Sequence, residues 1–525
     1  MFVVGIAVLT ASFLQLIRYM LHEQPVGSIF FSSTKDRKSM LIFFVLSANH
    51  ISYTLFEGLE ITAMPQPNMA ATSVTAQIDR HFHLHSQTNL RRHQLQGPLV
   101  IERGDGIHVI DEHGQKYIEG MSGLWCASLG FSNRRLAEAA QRQFEALPYY
   151  HTFNHRVSAI TARLAERIAE LAPLPDAKVF FACSGSEAND SMIKMAWAYH
   201  RARGNSQKRK VIAHQKGFHG STVMGATLSG LPNMHAAFGL PLDGVIRIEC
   251  PHYYRNGLPG ESESAFCGRL IAELQQRIDA EGAQNIAAFI SEPIMGAGGV
   301  IVPPSGYFAA VQELLNRHDI LMLADEIICG FGRTGRWFGH QMMGFMPDMM
   351  ACAKSLSAGY QPISCAVVSG AVYAVLEEQS QQLNGFGHGF TYSGHPVAAA
   401  VAFEALEIYQ EMDLPAHNQA MGKVLHEALA PLLDHPLIGE IRGIGLIAGL
   451  ELVADKKSRA SFPASLAIGA RVELATRKHG LIVRNMGDSI ALAPPFIIEP
   501  AQISDMFARL NAALDDVYQS IGQRP

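Results

Sequence analysis

The feature that most constrains the fold is an alternation of short apolar runs with helix-like stretches between about residues 150 and 400. The apolar runs are rich in β-branched residues and uninterrupted, which is typical of strands that are covered on both faces. Strands are predicted at residues 178–182, 210–213, 244–248, 286–290, 321–324, 349–353 and 363–368. Helical periodicity separates them, at residues 159–171, 187–202, 266–280 and 306–317. This alternation predicts an α/β domain with a mainly parallel sheet.

The regions on either side follow a different pattern. Residues 95–120 are predicted to form a small antiparallel meander, and a long helix at 398–412 leads into further strands at 446–452 and 481–483. We therefore predict a large domain and a small α+β domain made from both chain ends. The predicted boundaries are 146–397 for the large domain, and 69–145 together with 398–525 for the small domain.

The first 68 residues do not match the rest of the chain. Residues 1–17 are almost wholly apolar, whereas the apolar patch at 40–46 is shorter than the roughly 20 residues that a bilayer-spanning helix needs. We favour a mis-assigned start codon, with translation beginning near Met69, and keep a membrane anchor at 1–21 as the alternative. N-terminal sequencing of protein from the native host should then begin near Met69, and a mature chain from Met1 would contradict this expectation.

Composition excludes several classes of protein. Hydrophobic residues make up 48% of the chain and charged residues 17%, so the chain is neither disordered nor collagen-like. The 42 Lys and Arg residues against 47 Asp and Glu residues give a net charge of −5, so there is no basic excess for binding a nucleic-acid backbone. The seven cysteines are scattered without a CxxC pair, which indicates a reducing compartment and predicts a cytoplasmic protein.

Three motifs stand where predicted strands end. Ser184-Gly185-Ser186 opens a helix, and the N–H groups of a helix start suit a phosphate, with a plain N-cap as the alternative. Asp325 follows an apolar strand, where a carboxylate can hold a protonated ring nitrogen or cap a helix. Lys354 ends another apolar run. Desolvation there would favour the neutral amine that Schiff-base chemistry needs, unless the side chain extends to solvent.

Three further motifs have similarly plain alternatives. Phe218 and His219 lie between glycines after a strand, where Phe218 can stack on a planar ring or fill the core. Arg484 closes an apolar strand, where a guanidinium can bind a carboxylate through two hydrogen bonds or form a surface ion pair. Residues 81–85 carry three alternating histidines, a pattern also seen in metal sites. Because no Cys, Asp or Glu cluster supports a metal, we interpret these histidines as a polar terminal segment and predict no metal site.

In their order and spacing, these motifs resemble those of the class III aminotransferases, pyridoxal 5'-phosphate (PLP) enzymes of fold type I. The likeness spans roughly residues 75–520 and is greatest to the ω-amino acid:pyruvate (ω-transaminase) branch. The residues that carry it are 123–126 (GLWC), 184–190 (SGSEAND), 217–222 (GFHGST), 291–293 (SEP), 325–335 (DEIICGFGRTG), 353–360 (AKSLSAGY), 391–396 (TYSGHP) and 484–488 (RNMGD).

The resemblance implies a role for each matching residue. Lys354 would bind the cofactor covalently and then move the substrate proton, while Asp325 would keep the pyridine nitrogen protonated. The implied cofactor-binding residues are Gly185, Ser186, Phe218, His219, Glu292, Asp325, Ile327, Lys354 and Thr391. The implied substrate-binding residues are Trp125, Tyr150 and Arg484.

The resemblance further implies a ping-pong aminotransferase. An ω-amino acid or another amine gives its amino group to the cofactor, and a keto acid, expected to be pyruvate, takes it up. Because Thr391 would reach the phosphate of the neighbouring subunit, a homodimer is expected, with a tetramer as the alternative. An aminomutase, a decarboxylating transaminase and a non-catalytic binding relative stay open as other functions. Neither nucleic acid nor a membrane is expected as a partner.

Overall fold

The computed structural model describes residues 41–47, 50–56 and 73–522, and the chain divides into two compact units between Leu99 and Val100. The N-terminal unit contains an antiparallel hairpin of Leu41–Ser47 and His50–Phe56, and the helices Val74–Phe82 and Leu90–Gln96. The apolar run at 1–17, the alternative anchor at 1–21 and the start predicted near Met69 lie outside the described residues. Within the described ranges, no helix has both the length and the apolar character to cross a lipid bilayer.

The C-terminal unit is built around a seven-stranded sheet. In spatial order its strands are Lys178–Ala182, Ser364–Val368, Met349–Cys352, Leu321–Asp325, Ile286–Ser291, Lys210–His214 and Val245–Ile248. Ser364–Val368 runs antiparallel to both of its neighbours, and the other strands share one direction. The predicted strands are confirmed to within one residue at each end, and so is the mainly parallel α/β sheet.

Both faces of this sheet are covered, which explains its continuous apolar runs. Along Leu321–Asp325, Met322 and Ala324 belong to one buried cluster, whereas Leu321 and Leu323 belong to a second. Side chains alternate between the two faces of a strand, so each face requires its own apolar cover. The helices of this part of the chain are Ala159–Leu171, Gly185–Ala202, Val223–Leu228, Tyr253–Asn256, Glu263–Glu281, Tyr307–Arg317, Gly339–Met343, Gly370–Leu383 and Pro396–Glu411.

Two four-stranded sheets complete the unit. The predicted meander is confirmed as Ile101–Asp105, His108–Asp111 and Lys116–Glu119, and Leu481–Ile482 adds to it in parallel beside Lys116–Glu119. The other sheet contains Ile438–Gly443, Ala448–Leu452, Ser489–Leu492 and Arg484–Met486 in antiparallel order. The remaining helices are Ser122–Trp125, Arg134–Ala146, Leu414–Leu429, Ile468–Lys478 and Pro500–Gly522. Segments from both chain ends therefore share one sheet, while the boundaries 69–145, 146–397 and 398–525 stay predictions.

Candidate active site

A cavity of about 410 Å³ lies where strands of the large sheet end. Ser184, Phe218 and Glu292 follow three of these strands, Asp325 is the last residue of a fourth, and Lys354 follows a fifth. These five strands run in the same direction, so their carboxyl ends meet at one edge of the sheet, where α/β proteins bind ligands. The topology thus brings together residues that are up to 170 positions apart in the chain, the separation of Ser184 from Lys354.

Eight of the predicted site residues line this cavity, and four do not. Those in the cavity wall are Gly185, Ser186, Phe218, His219, Glu292, Asp325, Ile327 and Lys354. Those outside it are Trp125, Tyr150, Thr391 and Arg484. The roles that the resemblance assigns to all twelve stay predictions.

Lys354 is set up to present a neutral amine. Its backbone is in the left-handed region, with φ of 45°, and it begins a short 3-10 turn, Lys354–Ser357. Burial lowers the pKa of Lys354, although the nearby carboxylates of Asp325 and Glu292 favour its charged form. A deprotonated amine is the form that attacks a carbonyl carbon, so this environment suits covalent chemistry.

The segment that carries Lys354 is fixed from below by buried hydrogen bonds. The Ser128 and Ser355 hydroxyls lie 2.6 Å apart, and the Tyr409 hydroxyl donates to the Ser355 carbonyl at 2.8 Å. Ser128 and Tyr409 are both buried. Because these contacts restrain the backbone next to Lys354, they limit where its amine can move.

Asp325 is held in one orientation by two polar side chains. Its Oδ2 lies 2.9 Å from His219 Nδ1 and accepts a hydrogen bond from Asn189 Nδ2 at 2.8 Å, while its Oδ1 accepts from the Ile327 N–H at 3.2 Å. Asp325 is 2% exposed. An ionised carboxylate at such a site requires this kind of pairing, and it is then a fixed negative charge in the cavity wall.

Asn189 was missed as a site residue by the sequence analysis. It lies within the motif 184–190, one turn into the helix Gly185–Ala202, and it is fully buried. Its side-chain amide also donates to the His219 carbonyl at 2.8 Å, so it joins the aspartate to the loop after the strand Lys210–His214. A polar amide on the buried face of a helix was the available signal.

The start of the helix Gly185–Ala202 forms an anion cradle. Ser184 and Glu187 make a capping box, in which Ser184 Oγ accepts from the Glu187 N–H at 3.2 Å and the Glu187 carboxylate accepts from the Ser184 N–H at 3.1 Å. A Cβ on Gly185 would stand 2.6 Å from Ile327 Cδ1, so any larger residue there would have to displace the Ile327 side chain. The remaining first-turn N–H groups have no acceptor within the helix and suit a phosphate.

Glu292 is a buried acid that supports the cavity wall. Its carboxylate accepts from the Phe218 N–H at 3.0 Å and from the Gly296 N–H at 2.8 Å. Burial raises the pKa of Glu292, and the negative charge of Asp325 raises it further. Glu292 thereby fixes the backbone of Phe218, whose ring lines the cavity.

The four residues outside the cavity have different environments. Trp125 is 2% exposed and packs in a cluster with Met121 and Ile294, so its neighbour Cys126 lines the cavity instead. Tyr150 and Thr391 are exposed. Arg484 is half-buried on the strand Arg484–Met486, and its positive charge contributes to lowering the pKa of Lys354.

The cavity residues fit PLP on three observations. The helix start offers an anion cradle for its phosphate, Asp325 offers a buried acceptor for a protonated ring nitrogen, and Lys354 offers an amine for its aldehyde. Two buried polar atoms beside Asp325, His219 Nε2 and Asn189 Oδ1, also have no hydrogen-bond partner among the described residues. These two atoms leave hydrogen-bonding capacity beside Asp325 for a bound polar group.

Comparisons with known proteins agree with this geometry. A family model described as Aminotransferase class-III matches residues 90–514 of the chain. Gamma-aminobutyrate transaminase 1, mitochondrial, from Oryza sativa subsp. indica is 45% identical over 427 residues, which cover 81% of this chain and 83% of that protein.

Two solved structures extend the comparison to three dimensions. The omega transaminase from Pseudomonas jessenii in complex with PMP is 49% identical with a TM-score of 0.85, and the match covers 86% of this chain and 100% of that chain. A structure of a transaminase with L-alanine is 50% identical with a TM-score of 0.79, covering 81% and 100%. The predicted family, fold type I and the PLP cofactor are therefore confirmed. This chain belongs to the class III aminotransferases, and it is a pyridoxal 5'-phosphate-dependent transaminase.

Proposed function

We propose that this transaminase moves the amino group of an ω-amino acid or another primary amine to pyruvate, and that it works as a homodimer in the cytoplasm. The observation that carries the proposal is the convergence of Lys354 and Asp325 in one cavity, with Arg484 close enough to influence the Lys354 amine. One relative is named a gamma-aminobutyrate transaminase, which supports an ω-amino acid as the donor. Another transaminase was solved with L-alanine, which supports the alanine–pyruvate pair.

The residues of the chain divide the chemistry between them. Bound PLP supplies an electrophilic carbon and a ring that accepts electrons from the substrate carbon. Asp325, oriented by Asn189 and His219, would keep a proton on the ring nitrogen. Lys354 would take the proton from the substrate carbon and deliver it again, and burial, which lowers the pKa of Lys354, favours the neutral amine that this requires.

Arg484 is the proposed acceptor-recognition residue. A guanidinium binds a carboxylate through two charge-assisted hydrogen bonds, and a donor amine without a carboxylate makes no such contact. Losing hydrogen bonds to a charged group costs about 1.5–3 kcal/mol, or roughly 10- to 100-fold in binding. We expect Arg484→Ala to raise the KM for pyruvate by roughly that factor, as measured by alanine formed. The half-reaction with an amine that lacks a carboxylate should be nearly unchanged, as measured by single-turnover absorbance.

Arg317→Ala is the matched control for this experiment. Arg317 ends the helix Tyr307–Arg317 away from the cavity lining, and its side chain is 60% exposed. Its loss should change neither half-reaction. If Arg484→Ala loses as much activity with the carboxylate-free amine as with pyruvate, the arginine does not select the acceptor.

Two measurements separate the rival functions. A transaminase forms one alanine for each amine consumed without releasing CO2, whereas a decarboxylating transaminase releases CO2 and an aminomutase needs no acceptor.

Borohydride trapping followed by peptide mapping should place the pyridoxyl group on Lys354, and Lys354→Ala should lose the absorbance of the lysine-linked cofactor. A pyridoxyl group on another lysine would refute the catalytic assignment.

The proposed homodimer is supported by the exposed surface near Thr391. Thr391 is exposed outside the cavity, and Tyr149, whose hydroxyl donates to the Thr391 carbonyl at 2.8 Å, is 38% exposed. Tyr392 next to it is 60% exposed. Exposed aromatic side chains in one region are typical of a surface that a partner covers.

The proposed cytoplasmic location is supported by the seven cysteines, all of which are free thiols. Fractionation of the native host should find the activity in the cytoplasmic fraction, and recovery in a membrane or organelle fraction would contradict the proposal.

A further inference from the structure

We propose that Asp79, His85 and His93 form a binding site for a divalent first-row transition-metal ion, separate from the PLP cavity. One donor atom from each residue lies within 4.8 Å of the other two. We call these residues, together with His83, the Asp79 cluster. All four lie in the N-terminal unit.

The distances in the Asp79 cluster are close to those of a metal site. His85 Nε2 lies 2.9 Å from both carboxylate oxygens of Asp79, and His93 Nε2 lies 3.0 Å from Asp79 Oδ2. In a tetrahedral zinc site with bonds of about 2.0–2.1 Å, neighbouring donor atoms stand roughly 3.3 Å apart. To admit an ion, each histidine nitrogen therefore needs to move only a few tenths of an ångström from the Asp79 oxygens and to turn a lone pair to the ion.

The imidazoles are crowded in a way that favours an ion. The rings of His85 and His93 have centroids 4.0 Å apart, and His83 Nδ1 adds a third imidazole nitrogen 2.9 Å from Asp79 Oδ1. Three imidazoles converge on a single carboxylate, so three nitrogen donors stand around one anionic group. A divalent ion would neutralise the carboxylate and use the neutral form of each imidazole.

A second group of histidine and acids in the chain shows what a satisfied cluster looks like. His252, Glu440 and Glu451 also lie within 4.8 Å of one another. There, Arg442 pairs with Glu440 at 2.8 Å and with Glu451 at 2.9 Å, so a cation is already in place. Among residues 73–522, by contrast, Asp79 has ion pairs with histidines and with no Lys or Arg.

The position of the Asp79 cluster gives the ion a structural task. Asp79 lies on the helix Val74–Phe82 and His93 on the helix Leu90–Gln96, and in these two helices only Ala76 and His93 are buried. Two helices of nine and seven residues with so little apolar core would be stabilised by a further cross-link between them. An ion bound by Asp79 and His93 would join them directly.

Donor chemistry indicates the class of ion. Imidazole nitrogens suit Zn²⁺, Ni²⁺, Cu²⁺ and Co²⁺, whereas Ca²⁺ and Mg²⁺ prefer oxygen ligands only. The sequence alone predicts a polar segment at residues 81–85, because no Cys, Asp or Glu cluster supports the histidines there. The structure supplies the missing partners, since the helix places Asp79 beside the segment and His93 returns to it from the next helix.

The test uses the full-length holoenzyme without an affinity tag, freed of metals with a chelator and dialysed against ZnCl₂. We expect one Zn²⁺ per chain at a site whose affinity falls at least tenfold in His85→Gln and in Asp79→Asn. His81→Gln is the matched control, because His81 lies on the same helix outside the Asp79 cluster. Unchanged zinc affinity in both cluster variants, or less than one ion per wild-type chain, would overturn the proposal.

A second measurement reports on the place of binding. Hydrogen exchange of the peptides covering residues 74–96 should slow on addition of Zn²⁺ in the wild type and in His81→Gln, and stay unchanged in His85→Gln. Exchange in residues 100–522 should not respond to the ion. His85→Gln and the wild type are also compared without zinc. If His85→Gln has lost the helix pair, its peptides exchange fast even without the ion, and Asp79→Asn is then the variant that tests the site. Zinc-dependent protection that persists in Asp79→Asn would overturn the site.

Discussion

Asn189 shows how much of the active site depends on residues that stand behind the reacting groups. It is fully buried and divides its amide between the Asp325 carboxylate and the His219 carbonyl, both at 2.8 Å. In the proposed mechanism, the Asp325 carboxylate has to face the ring nitrogen of the cofactor. The Asn189 amide would then act through Asp325 as a positioning residue.

We expect Asn189→Ala to weaken PLP binding about tenfold and to lower the free energy of unfolding by about 1–3 kcal/mol, because the variant leaves buried acceptors unpaired. Equilibrium dialysis against PLP and denaturant unfolding measure the two effects. Asn418→Ala is the matched control, since Asn418 is equally buried and donates to the Gly332 carbonyl at 2.9 Å away from the cavity. It should lose stability and keep its PLP affinity.

The lowered pKa of Lys354 has a consequence for the apoenzyme. Between the lowered pKa and the ordinary lysine value of about 10.4, the unfolded chain binds more protons than the folded chain, so this group's penalty on folding disappears as the pH rises. The free energy of unfolding of wild type relative to Lys354→Met should therefore shift in favour of the wild type from pH 7 to pH 10. Lys423→Met, at a side chain that is 78% exposed, should show no such shift. A shift in the opposite direction for Lys354 would contradict its lowered pKa.

The positions of Lys354 and Asp325 in the cavity could be predicted from the sequence. Both stand where apolar strands end, and the topology of the sheet decides where a strand ends. Trp125 was harder, because positive φ angles at Ser122 and Trp125 turn the loop so that Cys126 reaches the cavity. Such a turn depends on tertiary contacts that the local sequence does not reveal.

At the scale of elements, the start of the helix Gly185–Ala202 has two tasks. The Ser184–Glu187 capping box stabilises the first turn, and the same turn presents N–H groups to an anion. The N-cap side chain fixes the geometry of the N–H groups that would bind the phosphate of the cofactor.

We expect Ser184→Ala to cost about 1 kcal/mol of stability and also to weaken PLP binding several-fold. Ser262→Ala provides the comparison, because Ser262 caps the helix Glu263–Glu281 at 3.2 Å and does not line the cavity. The two variants should lose similar stability in thermal unfolding of the apoenzyme, and Ser262→Ala should bind PLP as the wild type does. A PLP affinity that is equal in both variants would separate the cap from the anion site.

The strands and their mainly parallel arrangement were predicted closely, but the one reversed strand was not. Ser364–Val368 is buried throughout and runs against its neighbours, whereas its sequence resembles that of the parallel strands. A strand covered on both faces is apolar in either direction, so composition cannot report its orientation. The connection decides it: the chain after Met349–Cys352 turns at Lys354–Ser357 and returns without a crossover helix.

At the scale of the whole molecule, the proposed dimer makes each active site depend on two chains. Thr391 is exposed and outside its own cavity, yet the resemblance assigns it a phosphate contact in the neighbouring subunit. A threonine hydroxyl that binds a phosphate is worth about 1.5–3 kcal/mol, so its loss should weaken PLP binding roughly 10- to 100-fold.

Mixed dimers test this directly. We expect the Lys354→Ala homodimer to be inactive. The Thr391→Ala homodimer should have low activity at limiting PLP. When both chains are co-expressed with different tags and purified through both, one of the two sites combines the intact Lys354 of one chain with the intact Thr391 of the other. Activity per dimer should then recover to about half of the wild type. If Thr391 serves its own chain, the mixed dimer gains nothing.

The parallel pairing of Leu481–Ile482 with Lys116–Glu119 sets an order of events during synthesis. Leu481 is opposite Ile118, and the Ser122 hydroxyl reaches the Ala493 carbonyl at 2.6 Å across 371 positions. A ribosome that adds 5–20 residues per second needs roughly 20–70 s to pass from one strand to the other. Throughout that interval the strand Lys116–Glu119 has an edge whose backbone N–H and C=O groups are unpaired. A nascent or truncated chain can therefore aggregate through this edge, which Leu481–Ile482 covers in the finished protein.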